Sequence, residues 1–393
     1  MARRLVYDLF HGLDNTVWGD NEVRGDEIRG GDGNDKLFGF DGDDLLLGGN
    51  DNDLLFGGRG NDEVQGNAGD DTLFMDRGDN TFNGGEGVDK LDFADYYLSL
   101  PFGIYDYVER DVGFKVDLTT GETFASTVSN SAFTDRYGKN TFTSIEQYYL
   151  TNKADVLRGD ATADTIDGRD GDDFIEGRGG ADRIFGGNDT DTASYEGSSL
   201  GVNVSLDRFG EQIGGDAAGD VLRSVENLVG SGHNDHLGGD GGRNRIDGGN
   251  GADAITGLGG RDTIIGGLGA DFFIFTNTSD SVGSFTQRDV IEDFQRDVPG
   301  RFGDPRAIVG DSIDLHPMDA DQRRGSTSNE DFTFIGSQAF TGRAGEVRVS
   351  FQDNEGNPYT LVQADVTGDR VADFALTVFT NNDTLLTAAD FLL

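Results

Sequence analysis

The chain has no cysteine, so no disulfide framework, thiolate zinc site or redox pair can be drawn from it. Tryptophan occurs once, and no run of about 18 apolar residues is present that would cross a bilayer as a helix. Cations are scarce: 31 lysines and arginines stand against 73 acids, for a formal net charge of −42. That balance repels phosphates and excludes nucleic acid as a partner. In the N-terminal MARRLVYDLFHG, Asp8 and His11 interrupt the apolar stretch before it reaches the length of a signal-peptide core. The four histidines, His11, His233, His236 and His316, are not spaced as H-E-x-x-H, and neither a G-x-S-x-G elbow nor a phosphate loop occurs. No catalytic motif is therefore found, and carboxylate pairs are too common here to single out a glycosidase site.

What the chain has is 62 glycines and only 35% hydrophobic residues. Composition alone would fit a disordered acidic polymer, whose apolar surface cannot offset chain entropy and self-repulsion. The order of the residues overturns that reading. A register of nine begins at Gly30 and runs without a slip to Asp92: GGDGNDKLF, GFDGDDLLL, GGNDNDLLF, GGRGNDEVQ, GNAGDDTLF, MDRGDNTFN and GGEGVDKLD. It returns for four repeats from Gly159 to Ser194 and five from Gly230 to Ile274, sixteen in all. These repeats resemble the G-G-x-G-x-D-x-U-x nonapeptide of the RTX, or hemolysin-type calcium-binding, family. The resemblance implies an all-β fold, a parallel β-roll or β-solenoid wound around calcium ions.

Each position has a physical reason. Position six is Asp in 14 of 16 repeats, with Asn80 and Asn244 the exceptions: Asp35, Asp44, Asp53, Asp62, Asp71, Asp89, Asp164, Asp173, Asp182, Asp191, Asp235, Asp253, Asp262 and Asp271. Position one is Gly in 15 repeats, with Met75 the exception. Glycine recurs at position two, as Gly31, Gly49, Gly58, Gly85, Gly249 and Gly267, and at position four, as Gly33, Gly42, Gly60, Gly69, Gly87, Gly171, Gly180, Gly242, Gly251, Gly260 and Gly269. These glycines allow positive φ and let carbonyls converge on an ion. Carboxylates with carbonyls are the ligand set of calcium rather than zinc, and magnesium would keep more water. If repeat n stacks on repeat n+2, the three blocks hold on the order of ten ions. Asp51, Thr162, Asp189 and His233 replace the glycine of position four, so their turns are expected to be strained, vacant or differently liganded. Position eight is apolar throughout, as in Leu37, Leu46, Leu55, Val64, Leu73, Phe82 and Leu91, and should point inward.

Two spacers interrupt the register and resemble each other: VDL, TSIEQYYL and ADVLRGD in the first, VSL, RSVENLVG and NDHLGGD in the second. Both read as longer strands in ion-free coils of the same solenoid. The first is swollen by an insertion over 94–113 and 122–140, and 96–149 holds seven of the ten tyrosines. These either bind sugar rings or, the blander alternative, pack and cap the roll. Beyond Ile274, DVIEDF, DSIDL, FTFIG, AFTGRAGEVRV and DVTGDRVADF read as antiparallel strands with polar turns. This tail, ending in AADFLL, resembles the C-terminal domain of serralysin-type secreted metalloproteases, which implies an antiparallel β cap and an uncleaved signal for the type I secretion apparatus. His233 and His236 are expected to be solvated or turn-packed rather than a metal pair, and Asp365, Asp369 and Asp373 match an EF-hand loop only in part.

The expected layout is an N-terminal cap with degenerate repeats (1–29), a first roll (30–92), a Tyr-rich spacer (93–158), a second roll (159–194), a second spacer (195–229), a third roll (230–274) and the capping domain (275–393). The expected function is that of a secreted, extracellular or cell-surface calcium-binding protein that folds on meeting calcium after export, in a non-enzymatic surface or matrix role. Two alternatives are an accessory module for acidic polysaccharide, resembling the repeats attached to alginate epimerases, and the secretion and folding module of a serralysin-like enzyme. A membrane-perturbing role is disfavoured by the lack of amphipathic helices.

Overall fold

A nonapeptide coil buries its single inward residue only against the coils above and below, so pairing of residues eighteen apart is the condition for a core. The computed structural model describes residues 4–7, 13–20, 24–93, 99–100, 103–104, 113–125, 135–207, 210, 212–282, 287–296, 310–322, 330–354, 356–380 and 384–393. Two units divide the chain, residues 1–193 with 219–225 and residues 194–218 with 226–393. Most of the first spacer's insertion, with Tyr96, Tyr97, Tyr105 and Tyr107, lies outside the described residues.

In the first unit, Ile28, Leu46, Val64, Phe82 and Phe142 pair in parallel register along one ladder. Leu37, Leu55, Leu73, Leu91, Tyr148, Ile166 and Ile184 pair along a second. The position-eight residues from Leu37 to Leu91 are all 0% exposed, so the inward stripe is real and each member contributes about 1.5–3 kcal/mol of burial. At position nine, on the outward side of the strand, Trp18, Phe38, Phe56 and Phe74 stack with ring centroids 4.5, 4.7 and 4.0 Å apart. A third ladder carries Val116, Leu157, Ile175 and Ala193. The described strands Phe114–Asp117, Thr141–Thr143 and Gln147–Tyr149 of the first spacer are thus continuous with the rolls, and Tyr148 stands as a buried position-eight residue.

Among the described residues no spacer strand reaches the six residues of the first roll's longer strands, contrary to expectation. Phe114–Asp117, Thr141–Thr143, Gln147–Tyr149, Asn203–Ser205, Val221–Arg223 and Asn227–Val229 have three or four residues, against six in Leu45–Asn50. What the spacers share is a shortened turn between strands. Ser144, Ile145 and Glu146 fill the place of six residues, with Ser144 at φ 51°, and Ser224 takes the same conformation at φ 49°.

In the second unit, Val204, Leu237, Ile255 and Phe273 pair in parallel, as do Leu228, Ile246 and Ile264. The tail corrects a second expectation. Val290–Phe294 and Ser312–Asp314 are parallel, not antiparallel, and extend these two ladders with Ile291 and Ile313 at 0% exposure. The reason is chemical: Asp289-Val-Ile and Asp311-Ser-Ile repeat the D-x-U segment, and their Oδ1 atoms accept the N–H groups of Asp262 (2.8 Å) and Asp271 (3.0 Å). The antiparallel cap consists of Glu346–Asn354, Asn357–Asp365 and Phe374–Thr380. The last strand, Phe391–Leu392, pairs with Ser312–Asp314, and Asp390 before it is tied to Arg296 at 3.0 Å. Among the described residues the only helices are the 3-10 turns Gly215–Ala217 and Ala388–Asp390, and neither is long enough to cross a membrane.

Candidate metal centre

The position-six aspartates form ladders along the turns. Asp53 N–H donates to Asp71 Oδ1 (2.7 Å), Asp71 to Asp89 (2.8 Å), Asp173 to Asp191 (2.9 Å) and Asp253 to Asp271 (2.9 Å). Stacking thus uses one oxygen of each carboxylate. The other, Oδ2 of Asp53, Asp71, Asp89, Asp164, Asp173, Asp182, Asp253, Asp262 and Asp271, is buried and makes no hydrogen bond. These residues are at most 2% exposed, so the oxygens face neither water nor a donor. Leaving a charged oxygen in that state costs several kcal/mol unless a cation meets it.

Position one marks where such a cation would stand. A Cβ built on Gly248 would lie 2.6 Å from Asp253 Oδ2 and 2.6 Å from the carbonyl oxygen of Gly266, two repeats on. The same pairing of oxygens recurs beside Gly48 (Asp53 and Gly66), Gly66 (Asp71 and Gly84) and Gly168 (Asp173 and Gly186). Here the sequence reading needs correction: none of Gly30, Gly48, Gly66, Gly168, Gly230 or Gly248 has positive φ. Position one is glycine because a side chain would fill the oxygen-lined space, not because the backbone is left-handed. Of the seventeen candidate glycines at positions two and four, all but Gly242 do have positive φ.

The electrostatics fit the same space. Burial, opposed by the backbone hydrogen bond and reinforced by neighbouring carboxylates, pushes Asp53 up to about 8, Asp253 to about 7 and Asp71 to about 6. Asp173 reaches about 9 and Asp182 about 8 for the same leading cause. Among the described residues no cluster of three or more His, Cys, Asp or Glu side chains is gathered to hold a metal. A centre here would draw on one carboxylate per turn plus backbone carbonyls, a hard-oxygen set suited to calcium.

The exceptional turns fall into two kinds. Asp51 and Asp189 keep the left-handed backbone, at φ 74° and 77°, which aspartate tolerates better than most residues. At Thr162, His233 and Gly242 the N–H instead bonds a side chain two residues back, Asp160 Oδ1 (2.8 Å), Ser231 Oγ (3.0 Å) and Asp240 Oδ1 (2.7 Å). Asp235 also differs from its fellow candidates, since its Oδ2 accepts Ser231 N–H at 2.6 Å and its Oδ1 accepts Val202 N–H at 2.7 Å. Asp155 in the first spacer is likewise spent on Thr151, through N–H and Oγ1 at 2.8 Å each. His233 and His236 are exposed. The Asp365 loop is organised by N–H groups: Gly368 and Arg370 donate to Asp365, Val366 and Thr367 to Asp373.

Several site residues escape the motif. Where position six is Asn80, position two is Asp76, whose Oδ2 accepts Gly58 N–H (2.6 Å) while Oδ1 accepts from Asn80 Nδ2 (2.7 Å). Asn244 is accompanied in the same way by Asp240, so the repeat that loses its acid at one position carries one at the other. Glu146 serves as position six in the shortened turn, accepting Asp89 N–H at 2.9 Å. Asp289 Oδ2 is buried without a hydrogen bond, and burial together with the nearby Asp262 pushes this acid up to about 9. The repeated D-x-U segment was the available signal for it.

Comparison with known families matches residues 23–55, 47–82, 56–91 and 151–193 to the RTX calcium-binding nonapeptide repeat. Residues 175–393, more than half of the chain, match the peptidase M10 serralysin C terminal. No curated protein matches the chain. Similar solved structures are the AlgE6R3 and AlgE6R2 subunits of the mannuronan C5-epimerase of Azotobacter vinelandii. The first is 22% identical over 42% of this chain and 77% of that one, with a TM-score of 0.28. The second is 20% identical over 42% and 81%, with a TM-score of 0.26.

Proposed function

We propose, from the premise that the chain belongs to the family of the peptidase M10 serralysin C-terminal domain and carries RTX calcium-binding repeats, that it is exported by a type I apparatus and folds outside the cell when calcium fills its turns. The observation that carries this reading is the row of buried Oδ2 atoms without hydrogen bonds, of which those of Asp53, Asp71, Asp173 and Asp253 stand beside a carbonyl oxygen of the turn two repeats on. Asp53, Asp71, Asp173 and Asp253 would hold ions together with the carbonyls of Gly66, Gly84, Gly186 and Gly266, whereas the turn of Asp155, its carboxylate already satisfied, would hold none. When bound, calcium supplies the positive charge that these desolvated carboxylates lack. The folded protein then acts by binding, at a surface or in a matrix, rather than by catalysis.

Linkage sets the size of the effect. One ion at a hundred times its dissociation constant stabilises the folded state by about 2.7 kcal/mol, and several together exceed the roughly 5–15 kcal/mol that separates folded from unfolded domains. Low calcium inside the cell leaves the chain unfolded and threadable, and extracellular modules commonly respond at about 0.1–1 mM. Far-UV circular dichroism of chelator-treated protein should show a cooperative gain of β-structure with calcium and none with magnesium at matched ionic strength. Equal responses to the two metals, or full structure in chelator, would sink the reading. Asp71→Asn provides a finer check, because Asn80 already shows that an amide keeps the stacking bond, accepting Asp62 N–H at 2.8 Å. That variant is expected to bind one ion fewer by native mass spectrometry while its roll still forms.

A further inference from the structure

Ordinary turns present the position-one carbonyl to the Oδ2 of the turn stacked before, as Gly266 does beside Asp253. At the leading edge of the second roll, two turns have no nonapeptide turn stacked before them. The strands flanking the turn that opens at Leu150 pair with Lys90–Asp92 and Phe114–Asp117, which the sequence joins by the insertion rather than by a nonapeptide, and ahead of the turn that opens at Gly159 lies the shortened turn of Ser144, Ile145 and Glu146. At both places a guanidinium meets the carbonyl instead. Arg169 Nη1 donates to Leu150 O (2.7 Å) and Nη2 to Asp92 (3.0 Å). Arg178 Nη1 donates to Gly159 O (2.9 Å), Thr119 Oγ1 (3.0 Å) and Asp117 Oδ1 (3.3 Å), and Nη2 to Asp117 Oδ2 (2.8 Å).

The two constellations are built alike. Each arginine stands at position two of its repeat with a left-handed backbone, at φ 71° and 65°. Each reaches back one coil to a position-one carbonyl and two coils to an acid at the end of a strand, Asp92 or Asp117. We propose that Arg169 and Arg178 are resident cations that do at the leading edge of the second roll what calcium does between ordinary turns, and that they thereby set the calcium concentration at which this roll folds. The inference rests on the calcium reading above.

A contrast in acidity agrees with the geometry. Burial pushes Asp117 up as it does the position-six acids, but the hydrogen bonds from Arg178 and Thr119 outweigh it and bring the group down to about 2. Asp173 and Asp182 are pushed the other way, to about 9 and 8. Asp92 has further cover, from Lys90 at 3.1 Å, and Arg169 and Lys90 both lie over the ring of Tyr149, at 5.4 and 4.6 Å. Lysine cannot reproduce the bridge, because only the planar fork reaches a carbonyl and a carboxylate together.

The test is hydrogen exchange of the full chain as a function of free calcium, read separately over residues 30–74 and 156–193. In Arg169→Gln/Arg178→Gln the calcium midpoint for 156–193 is expected to rise about tenfold while that for 30–74 stays put. The Arg169→Lys/Arg178→Lys pair should fall between that variant and the parent. Identical midpoints for the Gln pair and the parent would reduce these contacts to ordinary surface ion pairs and overturn the proposal. If the Gln pair stays unprotected in saturating calcium, the two single variants carry the same comparison. A parent chain protected equally with and without calcium overturns the underlying calcium reading, an outcome distinct from the first because it appears before any substitution is made.

Discussion

In chelator, acidification is expected to fold the rolls rather than unfold them. The position-six acids ordinarily titrate near about 4 in an unfolded chain. In the folded rolls burial, with help from neighbouring carboxylates, raises them to about 6 for Asp71 and Asp89, about 7 for Asp164, Asp253 and Asp262, about 8 for Asp53 and Asp182, and about 9 for Asp173 and Asp289. Between those limits the folded state binds more protons than the unfolded one. Stability without metal is therefore complete below the unfolded value and is lost as pH rises through the folded values. Protonation also relieves the repulsion of a chain that carries −42. Calcium reverses the sign, because the ion needs the carboxylates ionised and acid competes with it. Circular dichroism followed from about pH 9 down to about pH 5 should show β-structure appearing in chelator and calcium-loaded structure weakening. A chelator curve that is flat, or that gains structure with rising pH, would contradict the burial of these carboxylates.

The coil itself was legible because it depends on period alone. Nine residues with an apolar position eight can bury that residue only by stacking, and Leu37, Leu55, Leu73 and Leu91 do stack at eighteen-residue intervals. The aspartate of position six was legible for the same reason. Less visible was which atoms meet across eighteen residues. Position one was the most constant glycine in the repeat, yet its constancy comes from a space that Asp253 Oδ2 and Gly266 O close around Gly248, and periodicity does not reveal space. The exchange of Asp between positions six and two, at Asn80 with Asp76, was written in the sequence but gains meaning only once Asp76 is seen accepting from Gly58 and Asn80. Asp289 and Asp311 were missed because loops of irregular length break the count of nine, although the ladder tolerates any loop that returns a D-x-U segment to its edge. Nothing in the period of nine marks Arg169 and Arg178, because their contacts are to carbonyls in another coil.

Gly248→Ala is expected to cost the third roll about 4–6 kcal/mol in calcium, roughly 1–3 from overpacking and about 2.7 from the loss of an ion held at a hundred times its dissociation constant. The added methyl would lie 2.6 Å from both Asp253 Oδ2 and Gly266 O, and neither can retreat: the carboxylate is fixed through Oδ1 by Asp235 N–H at 2.8 Å, and Gly266 N–H is held by Asp293 at 2.9 Å. Gly241→Ala is the matched control, since a Cβ there meets nothing within 4 Å and its φ is not positive. That change should alter stability by no more than about 0.5 kcal/mol. Native mass spectrometry should count one calcium fewer for Gly248→Ala and the same number for Gly241→Ala, and thermal unfolding in calcium should separate the two variants by several degrees. In chelator at about pH 5, where protonated carboxylates let the rolls fold without metal, the gap should shrink to the overpacking part alone, because there is no ion left to exclude. If the gap is as wide in chelator as in calcium, the methyl acts only by strain, and the space beside position one is a packing void rather than the seat of an ion.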